Sequence, residues 1–180
     1  MQAVTSSPTS PWPELEQGYV KILLEAQRYV YMETPYFLPT ESVLFAMRAA
    51  AVAGVDVRLM IPMENDSRLL EWASRSYVME TIEAGVKVYF YKPCFNHSKL
   101  LVCDDMLASV GSANIDFRSF ENNFEANMFI FDEKIAGEIK QIFLDDQAQS
   151  ILLDDISYFQ HRPFIKQLWE SIVRLLAPLL

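Results

Sequence analysis

The chain repeats one unit that leaves few architectures open: an amphipathic helix closed by a glycine, then a short apolar, β-branched run. Thr40 is a fair N-cap for a helix over 41–53 that Gly54 stops, and 55–61 then alternates as a strand does. A second helix is predicted over 67–84, ended by Gly85 and followed by a strand over 86–91. Ahead of both, Leu15, Tyr19, Ile22, Leu23 and Ala26 recur at helical spacing within 14–28. Residues 29–34 then read as a strand running into the turn between Pro35 and Pro39. After residue 91 the rhythm changes. Strands are expected through His97 and beyond, over 107–110 and over 124–131, before a helix over 133–149. Alternation of strand and helix predicts an α/β fold, a sheet flanked by helices on both faces. The consecutive strands after His97 make that sheet mixed.

A chain of 180 residues can bury one substantial core. Residues 1–13, rich in Ser, Thr and Pro, are expected to be a linker or frayed entry, leaving 14–180 as the domain. A last helix over 162–176 carries Phe164, Leu168, Trp169, Ile172 and Leu176 on one stripe. That stripe reads first as a face docked on its own domain, and second as a face turned to another segment or a membrane. The net charge of −9 argues against a nucleic-acid partner. Cys94 and Cys103 read as two reduced thiols. No apolar run reaches the ~18–20 residues of a membrane span, and the first residues lack the features of a signal peptide, so a soluble chain is expected.

Residues 91–132 concentrate polar side chains between apolar runs. They contain His97-Ser98-Lys99, then Asp104, then Gly111-Ser112-Ala113-Asn114, then Glu125. In a strand, His97 and Lys99 share a face and Asp104 has the opposite parity. A histidine and a lysine side by side make sense if an anion lies across both. The HxKxxxxD phrase, followed by GSxN and a glutamate, resembles the phospholipase D superfamily. TPYFLP at 34–39, GVDVRLMIP at 54–62, GVKVYFY at 85–91, NIDFRS at 114–119 and the terminal RLLAPLL resemble the C-terminal half of bacterial cardiolipin synthases. The resemblance spans nearly the whole chain, in order. It implies a phospholipase D-like fold containing one of two HKD motifs.

Phosphodiester exchange without a metal needs a nucleophile, an acid for the leaving alkoxide, and cations or donors around the phosphoryl oxygens. His97 suits either of the first two roles. Lys99 can hold a phosphate oxygen as a fixed positive charge, and Ser112 and Asn114 can donate to the same oxygens. Glu125 stands in an apolar strand, where a carboxylate needs a dedicated partner. The resemblance implies that this partner is the distal nitrogen of His97. Asp104 counts with His97, Lys99 and Glu125 in the catalytic set as the motif's aspartate, although its opposite parity reads as a structural role. Tyr36 and Phe37 are expected at the pocket mouth or, nearly as well, in the core. Asp116, Arg118 and Ser119 match the family's NxDxRS phrase without a mechanism that sequence supplies. His161 sits in a polar turn and has no catalytic setting. No HExxH, paired CxxC or P-loop occurs, so neither a metal nor another cofactor is expected.

One motif supplies one histidine, whereas double displacement needs two. The resemblance therefore implies an N-terminal HKD half elsewhere in a longer protein, or a second copy of this chain. It also implies phosphatidylglycerol as substrate, cardiolipin and glycerol as products, and a phosphohistidine intermediate. By the same resemblance, the C-terminal histidine is the general acid and base. A longer protein would lie on the bacterial cytoplasmic membrane, anchored through an N-terminal segment. Three other readings remain open at this point: phospholipase D hydrolysis, a single-motif nuclease, and a half that is inactive without its partner.

Overall fold

The computed structural model describes residues 1–153, so the helix expected over 162–176 and His161 lie outside the described residues. In chain order the elements are β1 Gln2–Ser6, α1 Glu14–Glu25, β2 Tyr29–Glu33, β3 Phe37–Leu38, α2 Glu41–Val52, β4 Asp56–Pro62 and α3 Arg68–Glu83. There follow β5 Lys87–Tyr91, β6 Leu100–Cys103, β7 Leu107–Gly111, β8 Ile115–Asp116, a π-helical turn Arg118–Asn122, β9 Glu125–Phe131, α4 Glu133–Gln147 and β10 Ser150–Leu153. Eight strands form one sheet in the order β1-β9-β7-β6-β2-β4-β5-β10, and β3 pairs with β8 in a second, short one.

β2, β4 and β5 are parallel, because α2 and α3 each carry the chain back across the sheet before the next strand begins. The other pairings of the large sheet are antiparallel. The sheet is therefore mixed, as the two sequence rhythms predicted. Leu15 and Tyr19 of α1, Leu44 and Met47 of α2 and Val78 of α3 cover one face. Ala136 and Phe143 of α4 cover the other, with Phe143 stacked 4.9 Å from the Tyr31 ring. Covered on both faces, β2 is buried along its whole length.

The Thr40 start signal and the Gly54 and Gly85 stop signals act as read, and the structure adds caps at Ser67 and Asp132. Thr40, Ser67 and Asp132 cap α2, α3 and α4 through their side-chain oxygens. Gly54 and Gly85 follow α2 and α3 at φ 93° and 94°, a conformation that side chains with a Cβ resist.

Two expectations are corrected. Residues 2–6 are not part of a linker but an edge strand, paired with β9 from Gln2 opposite Phe129 to Ser6 opposite Glu125. Gln2, Ala3 and Thr5 are exposed, so main-chain bonding rather than an apolar side-chain pattern holds β1, and the sequence carries little trace of it. Nor is there a strand through His97. Regular pairing begins at Leu100, and residues 92–99 form an irregular approach in which strand parity does not apply.

Asp104 belongs to the turn between β6 and β7, where it and Asp105 adopt φ 54° and 60°. Its carboxylate accepts hydrogen bonds from the backbone N–H groups of Gln27, Arg28 and Tyr29, at 2.7, 2.9 and 2.8 Å. Burial alone would raise its pKa, but the three amides outweigh it and the carboxyl titrates below its ordinary value. Asp104 ties the entry of β2 to the β6–β7 hairpin.

Candidate active site

Strand direction determines where the polar residues meet. β6 starts where β2 ends, with Leu100 opposite Glu33, and β7 ends at the same edge, with Val110 opposite Leu100. Gly111 lies opposite Asn127, two residues into β9. His97, Lys99, Ser112, Asn114 and Glu125 therefore gather at one end of the sheet. Asp104 does not. It closes the far end of β6, five extended residue steps or roughly 16 Å beyond Lys99, a position that favours its structural reading as a turn residue.

His97 is exposed at the rim, with Lys99 half-buried behind it. The Lys99 ammonium donates to the His97 carbonyl at 3.0 Å and stands 3.3 Å from both ring nitrogens. Burial lowers the Lys99 pKa, while the Glu125 and Asp116 carboxylates push it back up. The cation thus lies near an imidazole and two acids, and among the described residues no carboxylate comes within ion-pair distance of it. Tyr36 meets the His97 ring edge-on at 6.4 Å, and Phe95 lies 5.7 Å from the same ring. Tyr36 also donates to Asp66 at 2.8 Å. Phe37, by contrast, is wholly buried, so of the two residues expected at the mouth only Tyr36 is there.

Behind the rim lies a continuous hydrogen-bond array. Ser112 donates to Glu125 through a very short bond and accepts from the Ala126 amide at 3.0 Å. Glu125 also accepts from Asn123 at 3.2 Å and from Ser119 at 3.4 Å. Among the described residues these three donors, rather than the His97 ring, are the hydrogen-bond partners of Glu125. Asn114 donates from its side chain to Asp116 at 3.1 Å, and Asp116 accepts from the Ser119 amide at 2.7 Å. Burial pushes the Asp116 carboxyl up, the Ser119 and Asn114 bonds oppose it, and the charge of Glu125 reinforces it.

The NxDxRS phrase now has a physical account: Asn114, Asp116 and Ser119 form one knot that folds the segment after β7 back beneath the site. Thr34 joins it, accepting from the Ile115 amide at 3.1 Å while donating to the Tyr36 carbonyl at 2.8 Å. The glycine of GSxN also has a reason. A Cβ at Gly111 would collide with the Asn127 side chain and the Ala126 carbonyl. Ser112 and Asn114, expected to donate to phosphate, direct their donors at Glu125 and Asp116 instead. The groups left facing the rim are Lys99 and the His97 ring. Among the described residues, no three His, Cys, Asp or Glu side chains gather where a metal ion would be held.

Sequence reasoning passed over Asn96 and Glu33. Glu33 is 2% exposed and Asn96 donates to it at 3.0 Å. An acid closing an otherwise apolar strand, in YVYME, was the available signal.

The family model described as "Cardiolipin synthase, PLD-like domain" matches residues 19–147. The whole chain aligns at 44% identity with the major cardiolipin synthase ClsA of Bacillus subtilis and at 42% with cardiolipin synthase 1 of Staphylococcus aureus. It spans 37% and 36% of their lengths. Among solved structures, the phosphatidylserine synthase of Haemophilus influenzae superposes with a TM-score of 0.79 at 16% identity, over 99% of this chain and 47% of that one. Nuc from Salmonella typhimurium, a phospholipase D family member, superposes with a TM-score of 0.72 at 19% identity, over 86% of this chain and 97% of that one. These structural likenesses establish the phospholipase D-like fold.

Proposed function

The chain belongs to the cardiolipin synthase, phospholipase D-like domain family, and we propose that it supplies one histidine–lysine half of a phosphatidyl-transfer site. The observation that carries this reading is the placement of Lys99 within 3.3 Å of both His97 ring nitrogens at an exposed rim. A phosphodiester laid across the pair would bring its anionic oxygens to the ammonium and its ester oxygen to the imidazole. In the proposed reaction one histidine attacks phosphorus, a P–N bond forms and the P–O bond to glycerol breaks. A second histidine delivers a proton to the departing glycerol oxygen. That second histidine then takes the proton of the next phosphatidylglycerol's hydroxyl, whose oxygen displaces the first histidine and forms cardiolipin. His97 takes the proton-carrying role in this scheme. The attacking histidine comes from the part of the longer protein outside these residues, or from a second copy of the chain.

The test uses a complete two-motif protein containing this chain, supplied with phosphatidylglycerol vesicles. Cardiolipin and glycerol are expected in equal amounts, with both lost on His97→Ala. Phosphatidic acid with no cardiolipin would replace transfer by hydrolysis, since water would then be the acceptor.

A further inference from the structure

Glu33 is a buried acid at this site to which the proposed chemistry gives no role. It closes β2 beside Leu100, the residue after Lys99. Alternation along β2 puts its side chain on the face of Tyr29 and Tyr31, the face that α4 covers. Glu125 belongs to the opposite face, with Asn127, over which Tyr19 of α1 lies. Glu33 therefore approaches the His97 segment from behind. One carboxyl oxygen accepts the Asn96 side chain at 3.0 Å, and Asn96 in turn accepts the Ser98 amide at 2.8 Å. Asn96 and Ser98 are the two neighbours of His97, so this pair of bonds closes a short turn with the imidazole at its apex. The other carboxyl oxygen, Oε1, is buried and meets no hydrogen-bond partner among the described residues.

A buried acid with one unpaired oxygen is costly, and an apolar residue would fill the strand end with less penalty. Burial pushes this carboxyl up to about 7, against the Asn96 and Ser98 contacts that favour its charge and with Asp146 reinforcing the rise. Packing alone gives no reason for an acid here. The bond to Asn96 does.

We propose that Glu33 is a positioning residue: through Asn96 it holds the turn that presents His97 to the reacting phosphate. The inference rests on the reading of His97 as the reacting histidine. Its consequence is that Glu33 and Asn96 act as a unit, so that removing either one releases the same constraint.

A substitution cycle tests this with Glu33→Ala, Asn96→Ala and the pair, read in two ways. In this chain by itself, the nitrogen and carbon resonances of the His97 ring report its setting, and the amide spectrum reports the fold. In a complete two-motif protein, initial rates on phosphatidylglycerol vesicles give kcat and KM. Each single change is expected to shift the His97 resonances and to lower kcat by roughly tenfold or more, with KM moved less than about twofold. The double change should add little to either. Glu33→Gln, which keeps an oxygen for Asn96, should recover most of the lost kcat. Additive effects, or unmoved His97 resonances in a folded variant, overturn the proposal. Asn96→Ala lies in a partly exposed loop and serves if Glu33→Ala does not fold. A complete protein that turns over no phosphatidylglycerol overturns the functional reading instead, and the resonance cycle still decides on Glu33.

Discussion

The His97 ring and the Lys99 ammonium are the two groups that the site presents outward, and they fail differently when removed. Loss of a proton-transferring side chain costs about 10²–10⁴-fold in rate, so His97→Ala in a complete protein should approach background transfer. Lys99→Met keeps the length of the side chain and removes the charge. It should lower kcat by roughly 10²–10³-fold, because the ammonium stabilises phosphoryl charge that grows in the transition state. Glu33 controls a different observable. Its carboxyl is raised by burial from 4.5 to about 7, so the folded state holds that proton more tightly than the unfolded chain. Stability from this group is then present at low pH and is lost as pH rises from about 4.5 through about 7. Thermal melts at pH 5 and pH 8 should show Glu33→Gln gaining on the parent chain at the higher pH. Equal gaps at both values would mean that the buried carboxyl is not raised.

The β6–β7 hairpin separates two properties that its motif name joins. Asp104 lies at the turn, away from the rim, and its carboxylate satisfies three amides at the start of β2. Asp104→Ala should therefore cost about 2–4 kcal/mol of stability by denaturant unfolding, since three charge-assisted bonds are lost. Below its melting point, the same variant in a complete protein should keep its kcat within about threefold. A loss comparable with that of His97→Ala would keep Asp104 in the catalytic set. At the other end of β7, Gly111→Ala drives a methyl group into the β9 backbone and Asn127. It should cost about 3 kcal/mol or more and loosen the array that holds Ser112 and Glu125.

The arrangement of the whole molecule predicts half a site. The described residues present one histidine–lysine pair at one sheet end, while the matched relatives are nearly three times as long. Light scattering of this chain should give the mass of a monomer, with little transfer activity. A stable twofold dimer with turnover would place two His97 rings in one pocket and make the chain sufficient by itself. A net charge of −9 should also keep the isolated chain off phosphatidylglycerol vesicles at low salt. Cosedimentation with such vesicles checks that directly.

Local chemistry alone determined the parts of this protein that depend on short stretches of chain. Thr40, Ser67, Gly54 and Gly85 set the helix bounds, and the change from helix–strand alternation to consecutive strands announced a mixed sheet. His97 and Lys99 were legible because two basic side chains so close together need an anion to explain them. Tertiary structure decided what no local rule contains. β1 has no apolar pattern because its pairing is made by the main chain at a sheet edge. Asp104 and His97 are near in sequence yet lie at opposite ends of β6, since an extended strand moves its ends apart. Glu125 and Asn114 found partners within the array, and Glu33 met Asn96 across 63 residues, because antiparallel pairing brings strand ends together that the sequence keeps distant.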